Sequence, residues 1–360
     1  MQERAHPHRA LGLLALAGLA SACGDDTTAV EEPPISTTVF VDQAAGPGGD
    51  GSYERPFQTV REALELDRPI EVVALAGGRY PAPPSWAFDA PLTILAHTEE
   101  PTALEAEAPA ESLSWAATAV LVLRDLALAS PLSFDGGELE LRQLSIEPMV
   151  APALALTGAS ARIFDLDVGE LQSPADQPGQ GDGVVVDGGS LEWTGGSMTQ
   201  VPDRALVLSG AQATITSLTL ASVMRAPLTV SDGSDVDASD LVIEDVSIGV
   251  FVDQATLRLD HAFVNNAATA GVMASALSTT HITASTFSDC PNGHVSVQGE
   301  GASMTVEDSV LDGSVFFGCV FASYTAGAIV FRGNQLSHCA GSAIQLSEVQ
   351  DAVIEDNVIS

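Results

Sequence analysis

Two arginines and one acidic run offer chemistry by residue type and spacing. Arg204 and Arg225 stand 21 residues apart, each just before a short apolar stretch, "ALVL" and "PLTV". At that spacing the two side chains meet on neighbouring turns of a coiled chain, where paired guanidinium forks would grip a carboxylate or a sugar. The plainer expectation is that Asp203 and adjacent acidic groups neutralise them on a solvated face. The run "SDGSDVDASD" carries Asp232, Asp235, Asp237 and Asp240, oxygen donors of the kind calcium takes. It lacks the central glycine and closing glutamate of an EF-hand loop, and it does not match the "GGxGxDx" repeat. A solvated turn is the first reading, with weak calcium binding as the second. His281 and His338 lie in strand or turn positions without the serine or cysteine and acid of a nucleophilic set, and are expected to be structural. Trp86, Trp115 and Trp193 are expected to fill an interior. At 5% aromatic content no glycan-stacking platform is expected.

Repetition dominates the elements that must carry these residues. Cut every 22 residues from Gly183, the chain opens "GVVVDGG", "ALVLSGA", "PLTVSDG", "GVFVDQA" and "GVMASAL". The second and fourth places of these units are Val184/Val186, Leu206/Leu208, Leu228/Val230, Val250/Val252 and Val272/Ala274. Such alternation marks a strand with one buried face, and its recurrence lays that strand down again one turn later. The rest of each unit supplies further short strands, "SLEWTG", "ATITSLTL" and "DLVIEDVSI" among them, separated by Gly, Ser, Asp and Asn that tolerate tight turns. This is one rung of a parallel β-helix, climbing about 4.8 Å per turn. Looser copies run upstream from Ile70, broken by a projecting insertion over Gln172 to Asp182. Downstream, one long rung is expected from Gly293 to about Ala326, and Asn334 and Asn357 occupy equivalent places in the last two units. About a dozen rungs result, an all-β solenoid.

Composition limits the partners. The chain has 360 residues, 48 acidic against 13 basic, for a net charge of −35. Every basic residue is arginine; there is no lysine. Such a surface repels nucleic acid and anionic lipid, and a polyanionic glycan as well unless divalent cations bridge the two. With 46% apolar residues spread along its length, the chain still has material for a core.

The N-terminus reads as an export signal: Arg4 and Arg9, the apolar stretch "ALGLLALAGLA", then "ASAC" ending at Cys23. This resembles the lipobox of bacterial lipoproteins, which implies a signal peptide over 1–22 and lipidation at Cys23. A polar linker over 23–38 follows, so the protein is expected to be anchored to a membrane rather than to span it. The remaining cysteines, Cys290, Cys319 and Cys339, are expected to form one disulfide and leave one buried thiol.

The last two rungs resemble those of right-handed β-helix, pectin-lyase-like proteins. The pieces "VFVD", "GPGGDGSYE", "RPFQT", "VREALEL" and "IEVVALAGGRY" are similar to the N-terminal cap of that group. The resemblance implies a capping strand, loop and helix over 39–66 and a parallel β-helix over 67–360. Thr59 and Glu62 make a capping-box pattern for the helix, and Val60, Ala63 and Leu64 give it an apolar stripe. A lyase of this group would use Lys or Arg as base and calcium to neutralise the substrate. A polygalacturonase would show Asn-Thr-Asp, paired aspartates and Gly-His-Gly, none of which appears; "NGHV" around His294 is a fragment of the last. The sequence therefore leads to a non-catalytic, lipid-anchored envelope protein, a rigid acidic rod presented to a polysaccharide or another envelope protein. A polysaccharide lyase or epimerase is the alternative, and a structural spacer the second. No cofactor is expected, calcium aside. Because "EDNVIS" leaves the last rung without a cover, end-to-end stacking or continuation in a longer chain is expected there.

Overall fold

In the computed structural model, residues 37–108, 111–176, 181–316, 318–325 and 327–360 are described. The expected signal peptide over 1–22, Cys23 and the linker as far as residue 36 lie outside them, as do 177–180 of the insertion.

The chain coils into a parallel β-solenoid of about 12 turns, with almost no helix. Each turn contributes to three stacked ladders. The first ladder runs from Thr38–Val41 through Val72–Leu75 and Leu92–Ala96 to Asp351–Glu355. A second begins at Gly78–Ala82 and ends at Val358–Ile359. The third, of short strands, begins at Ser85–Phe88 and reaches Ile344–Ser347. The 22-residue repeat is this third ladder seen in sequence: Val184 lies on Leu206, Leu206 on Leu228, Leu228 on Val250, and Val250 on Val272.

Upstream, Leu154 pairs with Val184, 30 residues on. The eight residues beyond the usual 22 belong to the insertion, whose start, Leu171–Gln172, pairs with Met149–Val150. The long rung expected from Gly293 is shorter than it reads. Val320 already lies on Val295, so "VFAS" opens the next turn.

One corner explains how so many turns stay in step. Between the first and second ladders, from Asp125 onward, each turn carries a left-handed residue; Asp125, Asp165, Asp240, His261 and Asp308 are examples. The residue after it points inward and stacks on its counterparts. In early turns it is Leu126, Leu144, Leu166, Leu218 or Leu241, all buried; in late turns it is Ser285, Ser309, Asn334 and Asn357. Hydrogen bonds then climb the corner. Ser285 N–H donates to Ser309 Oγ at 3.1 Å, Ser309 N–H to Asn334 Oδ1 at 2.9 Å, and Asn334 N–H to Asn357 Oδ1 at 3.0 Å. The two asparagines thus bond to one another as their equivalent places implied.

A short helix, Val60–Leu64, begins at Thr59, whose side chain and that of Glu62 complete a reciprocal capping box. Its Val60 and Ala63 are fully buried, and it packs against Thr38–Val41 and Gly78–Ala82. Trp115 and Trp193 lie in the interior at 1% and 0% exposure, and Trp86 packs on the same core. Cys319 and Cys339 form a disulfide, while Cys290 stays a buried free thiol. Burial with few compensating partners pushes that thiol up to about 11, far from reactive. In the last turn Val353, Ile354, Val358 and Ile359 are exposed.

Candidate functional site

Charged side chains of both signs stand in rows on the outward face of the first ladder. Inward residues such as Leu141, Ile163, Trp193 and Ile215 are buried, so strand alternation turns their neighbours out. Parallel register then stacks those neighbours in columns one strand spacing apart. One column reads Glu140, Arg162, Glu192, Thr214, Asp237, Arg258, His281. Its neighbour reads Glu138, Ser160, Ser190, Gln212, Asp235. Where the two run side by side, a shallow groove of about 510 Å³ opens over four strands, from Ser160 and Arg162 to Asp235 and Asp237.

The groove is rich in hydroxyl, amide and carboxylate groups and poor in positive charge left free. Arg258 Nη1 donates to Asp235 at 2.7 Å and to Asp237 at 3.0 Å. Arg162 lies 3.6 and 3.8 Å from Glu138 and Glu140, while Arg142 bonds Glu140 and lies over the Phe164 ring at 4.6 Å. Asp235 and Asp237 are 54% and 61% exposed and share one arginine. Neither is buried in the way a general acid for glycosidic cleavage is. Further along, Arg332 bridges Glu307 and Glu355 at 3.0 and 2.5 Å, with His281 at 3.5 Å from Glu307.

The residues singled out from sequence fall in different places. Arg204 and Arg225 do lie on adjacent turns, at the approach to the third ladder, and each engages the aspartate 22 residues earlier. Arg204 makes two bonds of 2.7 Å to Asp182, which raise its pKa above the usual arginine value. Arg225 Nε is 3.4 Å from the buried Asp203, leaving an arginine side chain 71% exposed. The four aspartates of "SDGSDVDASD" do not converge. Asp232 and Asp240 sit at two different corners with left-handed backbone, and Asp235 and Asp237 face outward on the strand between them. Among the described residues no group of three or more His, Cys, Asp or Glu is placed to share a metal ion. The third ladder's outward row runs Val185, Val207, Thr229, Phe251, Met273, Ser296, with neither acid nor base.

Sequence reading missed an aromatic cluster. Phe40, Tyr53 and His97 pack together, with ring centroids 5.3, 5.5 and 6.4 Å apart. Composition counts rings without saying which of them the coil brings together. The signal available in sequence was the outward place of Phe40 in "TVFV".

His294 is fully buried. Nε2 donates to the Asp312 carbonyl at 2.9 Å, and Nδ1 has no partner. Burial lowers its pKa below 6.5, since protonation would bury an uncompensated charge. The unfolded chain therefore binds a proton that the folded chain refuses as pH drops below about 6.5, and stability falls with it. In His294→Gln the part of the urea-midpoint slope below about pH 6.5 due to this residue is expected to disappear; an unchanged slope would refute it.

No protein-family model matches the chain, and no curated protein sequence does. Solved structures do align with it. A periplasmic alginate epimerase, AlgG, is 7% identical over 80% of this chain and 77% of that one, with a TM-score of 0.49. A lacto-N-biosidase of family GH136 from Eubacterium ramulus is 10% identical over 89% and 67%, with a TM-score of 0.41. A mannuronic-acid-specific polysaccharide family 6 lyase from human gut microbiota is 12% identical over 80% and 77%, with a TM-score of 0.40. Each is similar to this chain in fold, and the chain itself is a parallel β-solenoid.

Proposed function

We propose that the protein is a non-catalytic, lipid-anchored, extracytoplasmic rod that binds a neutral glycan on the outward face of its first ladder. The observation that carries this reading is the groove from Ser160 to Asp237. Its lining offers rows of hydroxyl, amide and carboxylate acceptors at strand spacing, which suit a hydroxyl-rich polymer. A net charge of −35 and arginines already held by carboxylates disfavour a polyanion. In this reading the strand, glycine loop and helix of 39–66 close the first turn. Cys23 supplies the tether: the full chain is expected to partition into detergent, and Cys23→Ser to return it to the aqueous phase. Equal partition of the two would remove the anchor.

The binding test is titration of the full chain with neutral and uronic oligosaccharides. Glu192 and Gln212 are exposed on the groove, so replacing both by alanine is expected to leave stability within about 0.5 kcal/mol. The same change is expected to weaken neutral-glycan binding about tenfold. Unchanged affinity would move the site elsewhere. An unsaturated product from polyuronate, lost in Arg204→Ala or Arg225→Ala, would replace this reading by a polysaccharide lyase.

A further inference from the structure

The aromatic cluster and the groove lie on the same face of the same ladder. Phe40 is the outward residue of Thr38–Val41, and its column continues through Ala74, Leu95, Arg124 and Arg142 to Phe164. His97 follows the third strand of that ladder, and Tyr53 reaches over from the glycine-rich loop. Beside the rings is a pocket of about 280 Å³, lined also by Asp42, Pro56 and Thr98. Small Ala76, just after the second strand, lines it too.

The ring geometry selects the ligand. Phe40 and Tyr53 meet edge to face at 84°, and their centroids are 5.3 Å apart. That is direct contact, so a cation has no room between the rings as it would in an aromatic cage. What the cluster offers is the outer surface of Tyr53, which is 68% exposed. A stacking ligand with an apolar face and a polar rim fits that surface. Acceptors stand beside it: the carboxylate of Asp42, and His97 Nε2, which is left free because Nδ1 donates to the Leu75 carbonyl at 2.8 Å. A nucleotide would also stack, but Arg55, the arginine of this loop, is already held by Asp50 at 3.2 Å and the Gly48 carbonyl at 2.7 Å, and a protein of net charge −35 repels a phosphate. The neutral pyranose ring remains.

We infer that Phe40, Tyr53 and His97 form a sugar-stacking subsite on the face that carries the groove, one residue column to its side, and that the ligand is a linear neutral polysaccharide laid across the strands, along the solenoid axis. This rests on the glycan-binding reading and adds the ligand's class and direction. The cluster sits on the first three strands of the ladder and the groove on the sixth to ninth. Their centres are therefore about five and a half strand spacings, or about 26 Å, apart. A short oligosaccharide occupies one site at a time, whereas a chain long enough to bridge both gains by effective concentration.

The test is calorimetric titration of the full chain with neutral β-linked gluco-, manno-, galacto- and xylo-oligosaccharides of two and of ten sugars. At least one ten-sugar chain is expected to bind about tenfold or more tightly than its disaccharide. Tyr53→Ala is expected to abolish that advantage, and Tyr53→Phe, which keeps the ring, to retain it. Wild-type affinity in Tyr53→Ala, or loss in Tyr53→Phe as well, would overturn the stacking subsite. The groove would still stand if its Glu192→Ala, Gln212→Ala variant lost affinity. Failure of every oligosaccharide to bind the wild type would overturn both.

Discussion

Trp193→Ala is expected to destabilise the solenoid by about 3–5 kcal/mol, the usual range for truncating a buried tryptophan. Trp193 has no exposed surface and stacks between Ile163 and Ile215 in the first ladder's inner column. Its Nε1 donates to the Gly195 carbonyl at 2.8 Å, so the polar end of the ring is satisfied inside the core. Alanine removes the packing on both neighbouring turns and leaves a void that stacked strands cannot close. Trp193→Phe should cost less than half as much, because a ring still separates the two isoleucines. Turns touch only their neighbours, so the damage should be local. Hydrogen exchange is expected to quicken between about residues 160 and 216 before the distant turns respond. A urea midpoint unchanged in Trp193→Ala would contradict this packing.

The second large effect lies at the polar end of the corner ladder. Asn334 is 1% exposed, accepts from Ser309 N–H at 2.9 Å and donates to the Val306 carbonyl at 2.8 Å and to Asn357 Oδ1 at 3.0 Å. Asn334→Ala leaves a buried donor and a buried acceptor without partners, each costing about 1–3 kcal/mol. A loss of about 2–4 kcal/mol is expected in denaturant titration. Asn334→Ser should be milder, since Ser309 uses its hydroxyl in the same way to hold Ser285 N–H at 3.1 Å. Equal losses for alanine and serine would mean that packing rather than hydrogen bonding governs the corner.

The coil was legible in the sequence because its buried positions repeat by type. The aliphatics from Val184 to Val272 recur at one spacing, and the structure stacks them in that order. Asn334 and Asn357 were legible for another reason: an inward asparagine has few uses besides bonding to its copy. Leu218 and Leu241 fill the same place but look like any core leucine, so the corner's full length was hidden.

The site was harder to read because outward positions are free to vary. Ser160, Ser190, Gln212 and Asp235 form one row only through register, and each alone is an ordinary solvated residue. Arg204, Arg225 and the "SDGSDVDASD" aspartates drew notice by type, yet each arginine engages an aspartate one turn back, and of the aspartates Asp232 and Asp240 sit at separate corners while Asp235 and Asp237 share Arg258 on the strand between. Phe40, Tyr53 and His97 come from a strand, a loop and a turn. Only the coil brings them together.

Hydroxyl-radical footprinting of the full chain, with and without the neutral ten-sugar chain that binds it, tests the central claim most directly. The account predicts that Tyr53, His97 and Phe164, all on the first ladder's face, lose reactivity when the sugar is present. Phe251, Met273 and Phe321, outward on the third ladder, should keep theirs. Protection of the second set with the first unchanged would contradict the account.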